Sequence, residues 1–287
     1  MANIRTIRNR IRSVQNTAKV TRAMEMIAAS KMRRSQQRLT DSRPYADTIS
    51  QIIGHITAQS GDLGDDVHPL MEQREVRKIR VVHITPDRGL CGGLNGNLNR
   101  NLGRFVAGLE LPLDSVIVGR KGRDFASRSG IEVRSLVMDI GDTPTLSDTQ
   151  DISEVVIEDY RSGKVDEVYV SYSKFMSTVL QVPTIKKLLP VEPIEVEDGN
   201  NSGYIYEPNA NQVLDSLLPK FVEVQIYQAI LENIGSEHSA RMVAMSSATD
   251  SANEMIQDLT LLMNKVRQAS ITTELLDIVG GVAALEG

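Results

Sequence analysis

Residues 214–266 decide the fold, and they read LDSLLPKFVEVQIYQAILENIGSEHSARMVAMSSATDSANEMIQDLTLLMNKV. Apolar or small residues, with an occasional polar one, recur through this stretch in alternating steps of three and four. The positions are Leu214, Leu217, Phe221, Val224, Gln228, Leu231, Gly235, His238, Met242, Met245, Thr249, Ala252, Ile256, Leu259, Met263 and Val266. A sustained 3.5-residue repeat is typical of a helix in a left-handed coiled coil. The sequence therefore predicts a long C-terminal helix with one continuous contact stripe.

The N-terminal end of the chain has the same periodicity and the opposite charge. Its stripe runs through Ile4, Ile7, Ile11, Val14, Ala18, Thr21, Ala28 and Met32. Glu25 is the one charged residue at a stripe position. Residues 1–43 contain 11 Lys and Arg against 2 Asp and Glu (11 − 2 = +9), whereas residues 207–287 contain 4 against 11 (4 − 11 = −7). We expect the two helices to pair antiparallel. Residues 209–279 would form a helix of about 105 Å. Since a compact domain has no room for this length, we expect the helix pair to protrude.

A plain structural coiled coil would explain this periodicity by itself. Beyond Val266, however, the stripe turns polar, at Ser270, Thr273, Asp277 and Gly280. Internal pairing is not expected there, so we predict that this end meets another protein.

The middle of the chain changes from heptads to short apolar runs separated by turns. Four runs are predicted to be buried strands, namely Ile79–Ile84, Ser115–Gly119, Val133–Met138 and Val165–Tyr172. Three segments between them are predicted to be helices, namely Asn97–Val106, Arg120–Ser129 and Asp148–Arg161. This alternation is typical of a doubly wound, Rossmann-like parallel sheet. Val179–Leu189, broken by Pro183, is predicted to be a further strand or an edge segment.

The fold class is therefore α/β, a central sheet domain combined with a long antiparallel coiled coil. The predicted divisions are an N-terminal helix over 1–60, the sheet domain over 61–208 and a C-terminal helix over 209–287. Asn209 is a plausible N-cap of the last helix. Pro219 is expected to kink that helix or to mark where its continuous part begins.

Composition narrows the functional classes. A pI near 5.5 argues against wholesale nucleic-acid binding, and the absence of Trp with only 4% aromatic residues argues against base stacking. No run of 18 apolar residues predicts a membrane span. The basic N-terminus resembles a transit peptide in composition, but it continues directly into the same stripe, so we expect a cytoplasmic chain. The single cysteine, Cys91, excludes an intramolecular disulfide.

The candidate for chemistry is the Gly-rich loop Thr85–Asn95, TPDRGLCGGLN, after the first predicted strand. Such loops bind phosphate when their glycines have the right spacing, but neither G-x-G-x-x-G nor G-x-x-x-x-G-K-[ST] is present. A tight structural turn and a phosphate site both remain open, with the turn favoured. Cys91 as a nucleophile would need a histidine, and His83 is only a positional candidate. The four histidines show no metal-ligand spacing.

Three segments resemble a known family. They are residues 15–33, QNTAKVTRAMEMIAASKMR; residues 87–95, DRGLCGGLN; and residues 265–275, KVRQASITTEL. In this order they closely resemble the gamma subunit of the F-type ATP synthase in its bacterial form. The likeness extends over essentially the whole chain, including residues 42–46 and 181–185. The two-cysteine insertion of chloroplast-type relatives is missing.

The resemblance implies a central rotor shaft. The coiled coil would stand inside a ring of three alpha and three beta subunits. The sheet domain would sit on the membrane ring of c subunits beside the epsilon subunit. Proton flow would turn the shaft and change the conformations of the catalytic subunits. The resemblance implies no catalysis, cofactor, nucleic acid or small-molecule substrate for this chain itself, and a peripheral position on the cytoplasmic face of the bacterial cell membrane.

The resemblance also implies three groups of contact residues. Those facing the catalytic subunits are Lys19, Arg22, Met24, Arg33, Arg267, Gln268 and Thr272. Those facing the membrane ring and epsilon are Tyr204, Tyr206 and Glu207. A bearing tip would consist of Ile278, Val279, Val282 and Leu285. Each group has a simpler interpretation as well: solvated or helix-pairing charge, packing on the chain's own domain, and a fraying terminus.

Two functions of other classes remain as alternatives. A nucleotide-dependent enzyme with a dimerising coiled coil would need a phosphate motif. A nucleic-acid-binding scaffold would use the basic first helix, and its binding would weaken steeply with salt.

Overall fold

The computed structural model describes residues 4–59, 68–192, 207 and 209–286, without the side chains of 57–59, 210 and 283–286. The chain divides into two compact units. One, the helical unit, contains the residues up to Ala28 and those from Met242 onward. The other, the sheet unit, is Ala29–Arg241. The predicted division at residues 60 and 208 stays a prediction, because both positions lie outside the described residues.

Two long helices supply residues to both units. Helix α1 spans Ile4–Gln59 and contains Pro44. The C-terminal helix, α5, spans Ala210–Glu286 and contains Pro219. The expectation that α5 becomes continuous only at Pro219 is wrong, because the helix already begins at Ala210. The side-chain oxygen of Asn209 accepts a hydrogen bond from the Gln212 amide at 2.9 Å, which confirms the predicted N-cap.

In the helical unit, burial follows the predicted stripes. Ile7, Ala18, Met245 and Ala252 are buried. Thr21 belongs to the N-terminal stripe and Thr249 to the C-terminal one. Their hydroxyls lie 2.7 Å apart, which satisfies two polar groups that would otherwise be buried without partners. Small and hydroxyl-bearing residues in the stripe thus allow the two helices to approach closely.

The sheet unit contains five strands in the order β3-β2-β1-β4-β5. Their bounds are Ile79–Ile84 for β1, Leu113–Val118 for β2, Glu132–Val137 for β3, Glu167–Phe175 for β4 and Gln181–Leu189 for β5. The first four strands are mutually parallel, and β5 is antiparallel to β4. This confirms a Rossmann-like sheet with an antiparallel edge strand. Pro183 lies in β5, where its missing N–H is tolerated because the strand is at the edge.

Three shorter helices connect the strands. Helix α2 spans Leu94–Ala107, α3 spans Arg120–Ser129, and α4 spans Gln150–Arg161 after a short 3₁₀ turn at Ser147–Thr149. The predicted helices are confirmed in place, with small differences at their ends. The core of the unit packs sheet residues against both long helices, with Ile53, Val82, Val156, Leu218 and Ile226 all fully buried.

One feature of the sheet contradicts the interpretation of residues 79–84, IRVVHI, as an apolar run. Arg80 on β1 is almost fully buried, and its guanidinium contacts Asp114 on β2 at 2.6 and 2.9 Å and Asp159 on α4 at 2.6 Å. Lys164 and Arg134 also contact Asp159. These hydrogen-bonding cations hold the pKa of Asp159 well below its usual range, against the opposing effect of burial. The charges are therefore buried as a satisfied network that joins β1, β2 and α4.

Candidate functional site

The Gly-rich loop after β1 is fixed to helix α3 by its own side chains. The Thr85 hydroxyl accepts a hydrogen bond from the Gly122 amide at 2.7 Å and donates one to the Val118 carbonyl at 3.0 Å. The Asp87 carboxylate accepts from the Arg120 amide at 2.9 Å, at the N-terminus of α3. A helix N-terminus attracts anions, and here the chain's own carboxylate takes that place.

Gly119, between β2 and α3, explains how closely these segments approach. Its φ is 92°, and a Cβ at this position would lie 2.0 Å from the Thr85 carbonyl oxygen. Only glycine fits this backbone, so Gly119 allows the end of β2 to contact the Gly-rich loop closely.

The other side of the Gly-rich loop contacts helix α5. The Arg241 guanidinium donates to the Gly89 carbonyl at 3.1 Å. Ala240 packs against the small apolar cluster formed by Cys91, Leu94 and Leu98. The loop is therefore a docking point for α5 as well as for α3.

The crevice beyond the carboxyl ends of β1 and β4 is where Rossmann-like sheets bind ligands. In this chain α5 crosses it. The Asn233 side-chain oxygen accepts from the Ser173 amide at 3.3 Å, and the Ser236 hydroxyl donates to the Ser173 carbonyl at 2.9 Å. Beside it, a cavity between α5, the ends of β1 and β2 and the loop after β3 encloses about 40 Å³. Small-molecule pockets are typically about 300–1,000 Å³, so this cavity is too small for a nucleotide.

His83, the positional candidate for a partner of Cys91, hydrogen-bonds to other residues. The His83 ring lies 3.1 Å from the Ser171 hydroxyl through Nδ1 and 3.1 Å from the Asn99 side-chain oxygen through Nε2. Burial lowers the pKa of His83 to about 4, so the ring is neutral at pH 7. The Asn95 side-chain amide donates to the Cys91 sulfur at 3.3 Å, and burial raises the pKa of that thiol. Neither residue is arranged as a nucleophile or a base toward the other.

The sequence did not single out the residues that organise this site. Asp87 and Arg241 carry its two loop contacts, and Asn233 and Ser236 fasten α5 to the end of β4. Asp87 lies inside the quoted DRGLCGG motif, which was a usable signal. Asn233 and Ser236 lie between the stripe positions of the C-terminal helix and belong to none of the quoted motifs.

The predicted contacts with catalytic subunits are largely on the surface. The exposed residues of this group are Lys19, Arg22, Arg33, Arg267, Gln268 and Thr272, and Met24 is half-buried. The Thr272 hydroxyl donates to the Gln268 carbonyl at 3.0 Å, inside its own helix. Lys31, on the same helix as Lys19 and Arg22, contacts Asp142 in a sheet-unit loop at 2.5 Å.

Glu25, the charged residue in the N-terminal stripe, lines an open groove of about 500 Å³ in the helical unit. Ser246, Ser247, Asp250 and Glu254 of α5 line the same groove. The carboxylate therefore faces an open polar space, which explains how a charged residue is accommodated in the stripe.

The predicted tip is exposed wherever its side chains are described. Ile278 and Val279 are each 64% exposed and Val282 is 51% exposed. The Leu285 side chain lies outside the described residues. In the predicted foot Glu207 is exposed, whereas Tyr204 and Tyr206 lie outside the described residues.

The described part of the chain contains neither a membrane-spanning helix nor a cluster of metal-ligand side chains. No helix there is both long and apolar enough to span a membrane. No three His, Cys, Asp or Glu side chains there are grouped so that they could hold a metal ion.

These observations define an α/β protein in which a Rossmann-like sheet is fastened to long terminal helices by its strand-end loops. Residues 3–285 match the family model described as ATP synthase. The ATP synthase gamma chain of Dehalococcoides mccartyi strain CBDB1 is 54% identical over 287 residues, which cover 99% of this chain and 100% of that protein. The gamma chain of Glaesserella parasuis is 48% identical over 291 residues, again covering 99% and 100%. The chain belongs to the ATP synthase gamma chain family.

A solved structure has the same fold. A chain of the Euglena gracilis mitochondrial ATP synthase, in the structure described as OSCP/F1/c-ring in rotational state 3, aligns with a TM-score of 0.66. The alignment covers 98% of this chain and 94% of that chain at 20% identity.

Proposed function

We propose that this chain is the central rotor shaft of an F-type, proton-translocating ATP synthase. In this proposal it couples proton flow through a membrane ring to conformational change and ATP synthesis at the catalytic subunits. The observation that carries the proposal is identity of 54% along the whole chain with a protein named ATP synthase gamma chain. The match covers 99% of this chain and 100% of that protein, which favours the same mechanical role rather than a borrowed domain.

The proposed partners are the alpha and beta subunits of the catalytic head, the epsilon subunit and the ring of c subunits. An asymmetric shaft inside a ring of similar subunits contacts each of them differently. Each orientation would therefore favour a different conformation at each catalytic subunit, through differential contact free energy. In this proposal the chain transmits motion and the catalytic residues belong to the partners. The proposed location is the cytoplasmic face of the bacterial cell membrane, as a peripheral protein.

The exposed side chains support particular contacts. We assign Lys19, Arg22, Met24 and Arg33 on α1, with Arg267, Gln268 and Thr272 on α5, to the catalytic subunits. Arg267 offers a planar set of donors that suits a carboxylate, and Gln268 can both donate and accept. Both side chains are exposed and thus accessible to a partner.

The remaining contacts follow the same reasoning. The foot, Tyr204, Tyr206 and Glu207, is assigned to the membrane ring and the epsilon subunit. The tip, Ile278, Val279, Val282 and Leu285, is assigned to an apolar collar of the head. Contiguous exposed apolar side chains mark interaction sites, and smooth apolar contacts have no preferred angle of rotation.

The test is complementation in a bacterium that lacks its own gamma chain gene. The chain should restore a membrane-bound complex, and inverted vesicles should then pump protons when ATP is supplied. Vesicles from cells with an empty vector are the control. The purified chain should show no ATPase activity without the larger subunits. Failure to associate with the alpha and beta subunits in a host that makes the protein stably would contradict the proposal.

A further inference from the structure

The loop between β3 and the 3₁₀ turn, residues 138–146, is named here the bridging loop. Its first part is fixed by the Asp139 amide, which donates to the Asp87 carboxylate at 3.1 Å. Its last part is fixed by the Thr145 amide, which donates to the Asp148 carboxylate at 2.7 Å. The bridging loop is therefore held at both ends by the sheet unit.

Between these anchors, Asp142 contacts both long helices with one carboxylate. Its Oδ2 accepts from the Lys31 ammonium on α1 at 2.5 Å. Its Oδ1 lies 2.9 Å from the His238 Nε2 on α5. Each oxygen is thus used for a different helix, and one residue joins three elements of the sheet unit.

The Pro144 carbonyl repeats the arrangement at a second level. It accepts from the Arg38 guanidinium on α1 at 3.4 Å and from the Tyr227 hydroxyl on α5 at 3.3 Å. Lys31 and Arg38 are two helical turns apart on the same face. The bridging loop therefore contacts the same antiparallel helix pair at two heights, which resists sliding as well as separation.

The position of the single ring hydrogen of His238 strengthens the connection between Asp142 and α5. Burial lowers its pKa to about 4, so at pH 7 the ring is neutral. The Arg241 guanidinium lies 3.3 Å from Nδ1, which makes Nδ1 the acceptor and leaves the Nε2 hydrogen for Asp142. Arg241 also pairs with Glu237 at 2.6 Å and donates to the Gly89 carbonyl. A continuous chain of contacts thus runs from the Gly-rich loop across α5 to α1.

An ordinary surface ion pair is the simplest alternative. The Lys31 and Asp142 side chains are 34% and 43% exposed, and isolated pairs of this kind contribute little to stability. The His238 side chain, however, is only 2% exposed, and the second contact set at Pro144 is independent of charge on the loop. The bridging loop is anchored and contacts the helix pair at two places, so it holds the helices more firmly than an isolated surface ion pair would.

We propose that the bridging loop is a torque lock, in which Asp142 and the Pro144 carbonyl hold both long helices to the sheet so that the sheet unit turns as one body. Asp142 is then a positioning residue for the rotary role, and this part of the inference rests on the proposed function. The lock itself is a property of the folded chain and is measurable without any partner.

The first experiment measures hydrogen–deuterium exchange in the purified full-length chain. Asp142→Ala should speed exchange about fivefold in the bridging loop and in the facing turns of α1 and α5, because a partly exposed charged pair and the acceptor of the buried His238 N–H are lost. Asp124→Ala is the matched control, since Asp124 has a similar exposed fraction of 42% and, among the described residues, forms its ion pair with its neighbour Arg123. Lys31→Met, which removes the α1 arm alone, should have a smaller effect and should add nothing to Asp142→Ala.

Unchanged exchange in both Asp142→Ala and Lys31→Met would overturn the lock. If Asp142→Ala does not fold, Asp142→Asn and Lys31→Met provide the same measurement with milder changes. Asp142→Asn keeps the shape and loses the charge, so its exchange should lie between wild type and Asp142→Ala.

The second experiment uses the assembled complex in inverted vesicles. Asp142→Ala should keep ATP hydrolysis and lower the protons pumped per ATP about twofold, whereas Asp124→Ala should change neither. Faster exchange with a normal pumping ratio would overturn the torque role. A wild-type complex that hydrolyses ATP and pumps nothing would instead contradict the proposed function and leave the exchange result to decide the lock.

Discussion

Helix α5 has two regions with the same apolar residue types and very different surroundings. In the sheet unit, Ile226 is fully buried and Ile230 is 2% exposed. In the helical unit, Leu276 is 66% exposed and Ile278 is 64% exposed. The same residue types thus hold the core together in one region and face outward in the other. A hydrophobic repeat tells where a helix can make contacts, but it does not tell whether the partner belongs to the same chain.

The difference has a structural cause. Between Ala210 and Arg241 the helix is covered by the sheet, the strand-end loops and α1, so several of its faces are apolar. Buried positions there include Leu214, Leu218, Phe221, Val222, Val224, Ile226, Ala229, Ile230, Leu231 and Ile234. A helix that is apolar on most sides is a core helix. Beyond Met242 only the narrow stripe is buried, as in a two-helix coiled coil.

The largest expected effect is on the free energy of unfolding. An isoleucine replaced by alanine should lower it strongly in the sheet unit and hardly at all at the exposed end of α5. Ile226→Ala should lower the free energy of unfolding of the full chain by about 2–5 kcal/mol, because it leaves a cavity in the core. Ile278→Ala should change it by less than about 0.5 kcal/mol, because that side chain is already exposed. Urea unfolding followed by circular dichroism measures both.

Equal effects of the two substitutions would break the comparison. They would mean that the end of α5 is packed in the free chain. Ile278→Ala serves as the matched control, since the same atoms are removed from the same helix.

The next largest expected effect is a loss of stability at acidic pH, and it should differ between the sheet unit and the helical unit. The chain's four histidines, His55, His68, His83 and His238, all lie between Ala29 and Arg241, which is the sheet unit. Burial lowers the pKa of His83 from 6.5 to about 4. Between these values the unfolded chain binds a proton that the folded chain does not, so stability is full above about pH 6.5 and falls as the pH decreases toward 4. The loss from His83 is at most about 3 kcal/mol.

Hydrogen exchange at pH 7 and pH 5 checks this expectation. The sheet around β1 should lose protection at pH 5, and His83→Asn should reduce the pH dependence even though it is less stable at pH 7. The helical unit should change less over the same range. A pH dependence that His83→Asn leaves unaltered would assign the effect to other groups, such as His238.

Much of this fold was predictable because it depends on local periodicity. The stripe through Ile7, Ala18 and Thr21, and the strand Ile79–Ile84, are visible as repeats of 3.5 and as an apolar run. Arg80 was not predictable as a buried residue, since its partners Asp114 and Asp159 are distant in sequence. Only the topology brings them together.

The candidate site was predictable in part for the same reason. The Gly-rich motif marked the loop that contacts α3 and α5, and its irregular spacing weakened the phosphate interpretation. Asp142 lies in a polar loop with no motif, and its role depends on two helices that are far away in sequence. Contacts with other subunits follow from the resemblance alone and stay predictions, because a single chain does not contain the surfaces that would cover them.

A smaller effect is expected from the polar residues of α5 beyond the stripe. Alanine at both Arg267 and Gln268 should leave the stability of the free chain nearly unchanged, because both side chains are exposed. In the assembled complex it should lower multi-site ATP turnover about tenfold, the change in rate that a loss of about 1.4 kcal/mol of contact free energy with a catalytic subunit would produce. Lys265→Ala, which also removes an exposed cation from this part of the helix, is the control and should be nearly neutral. Normal turnover of the double variant in a fully assembled complex would remove these residues from the proposed contact.

The smallest effect is expected from removing residues 278–287. Ile278, Val279 and Val282 are exposed, so the free chain should unfold at nearly the same urea concentration without them. In the complex the exposed apolar surface would be covered, and its loss should make the head dissociate a few-fold faster on dilution, with rotation and catalysis largely retained. Size-exclusion chromatography of diluted complex and a bead-rotation assay measure the two properties separately. Complete loss of torque would show that the tip drives rotation instead of guiding it, and an unchanged dissociation rate would show that no collar binds it.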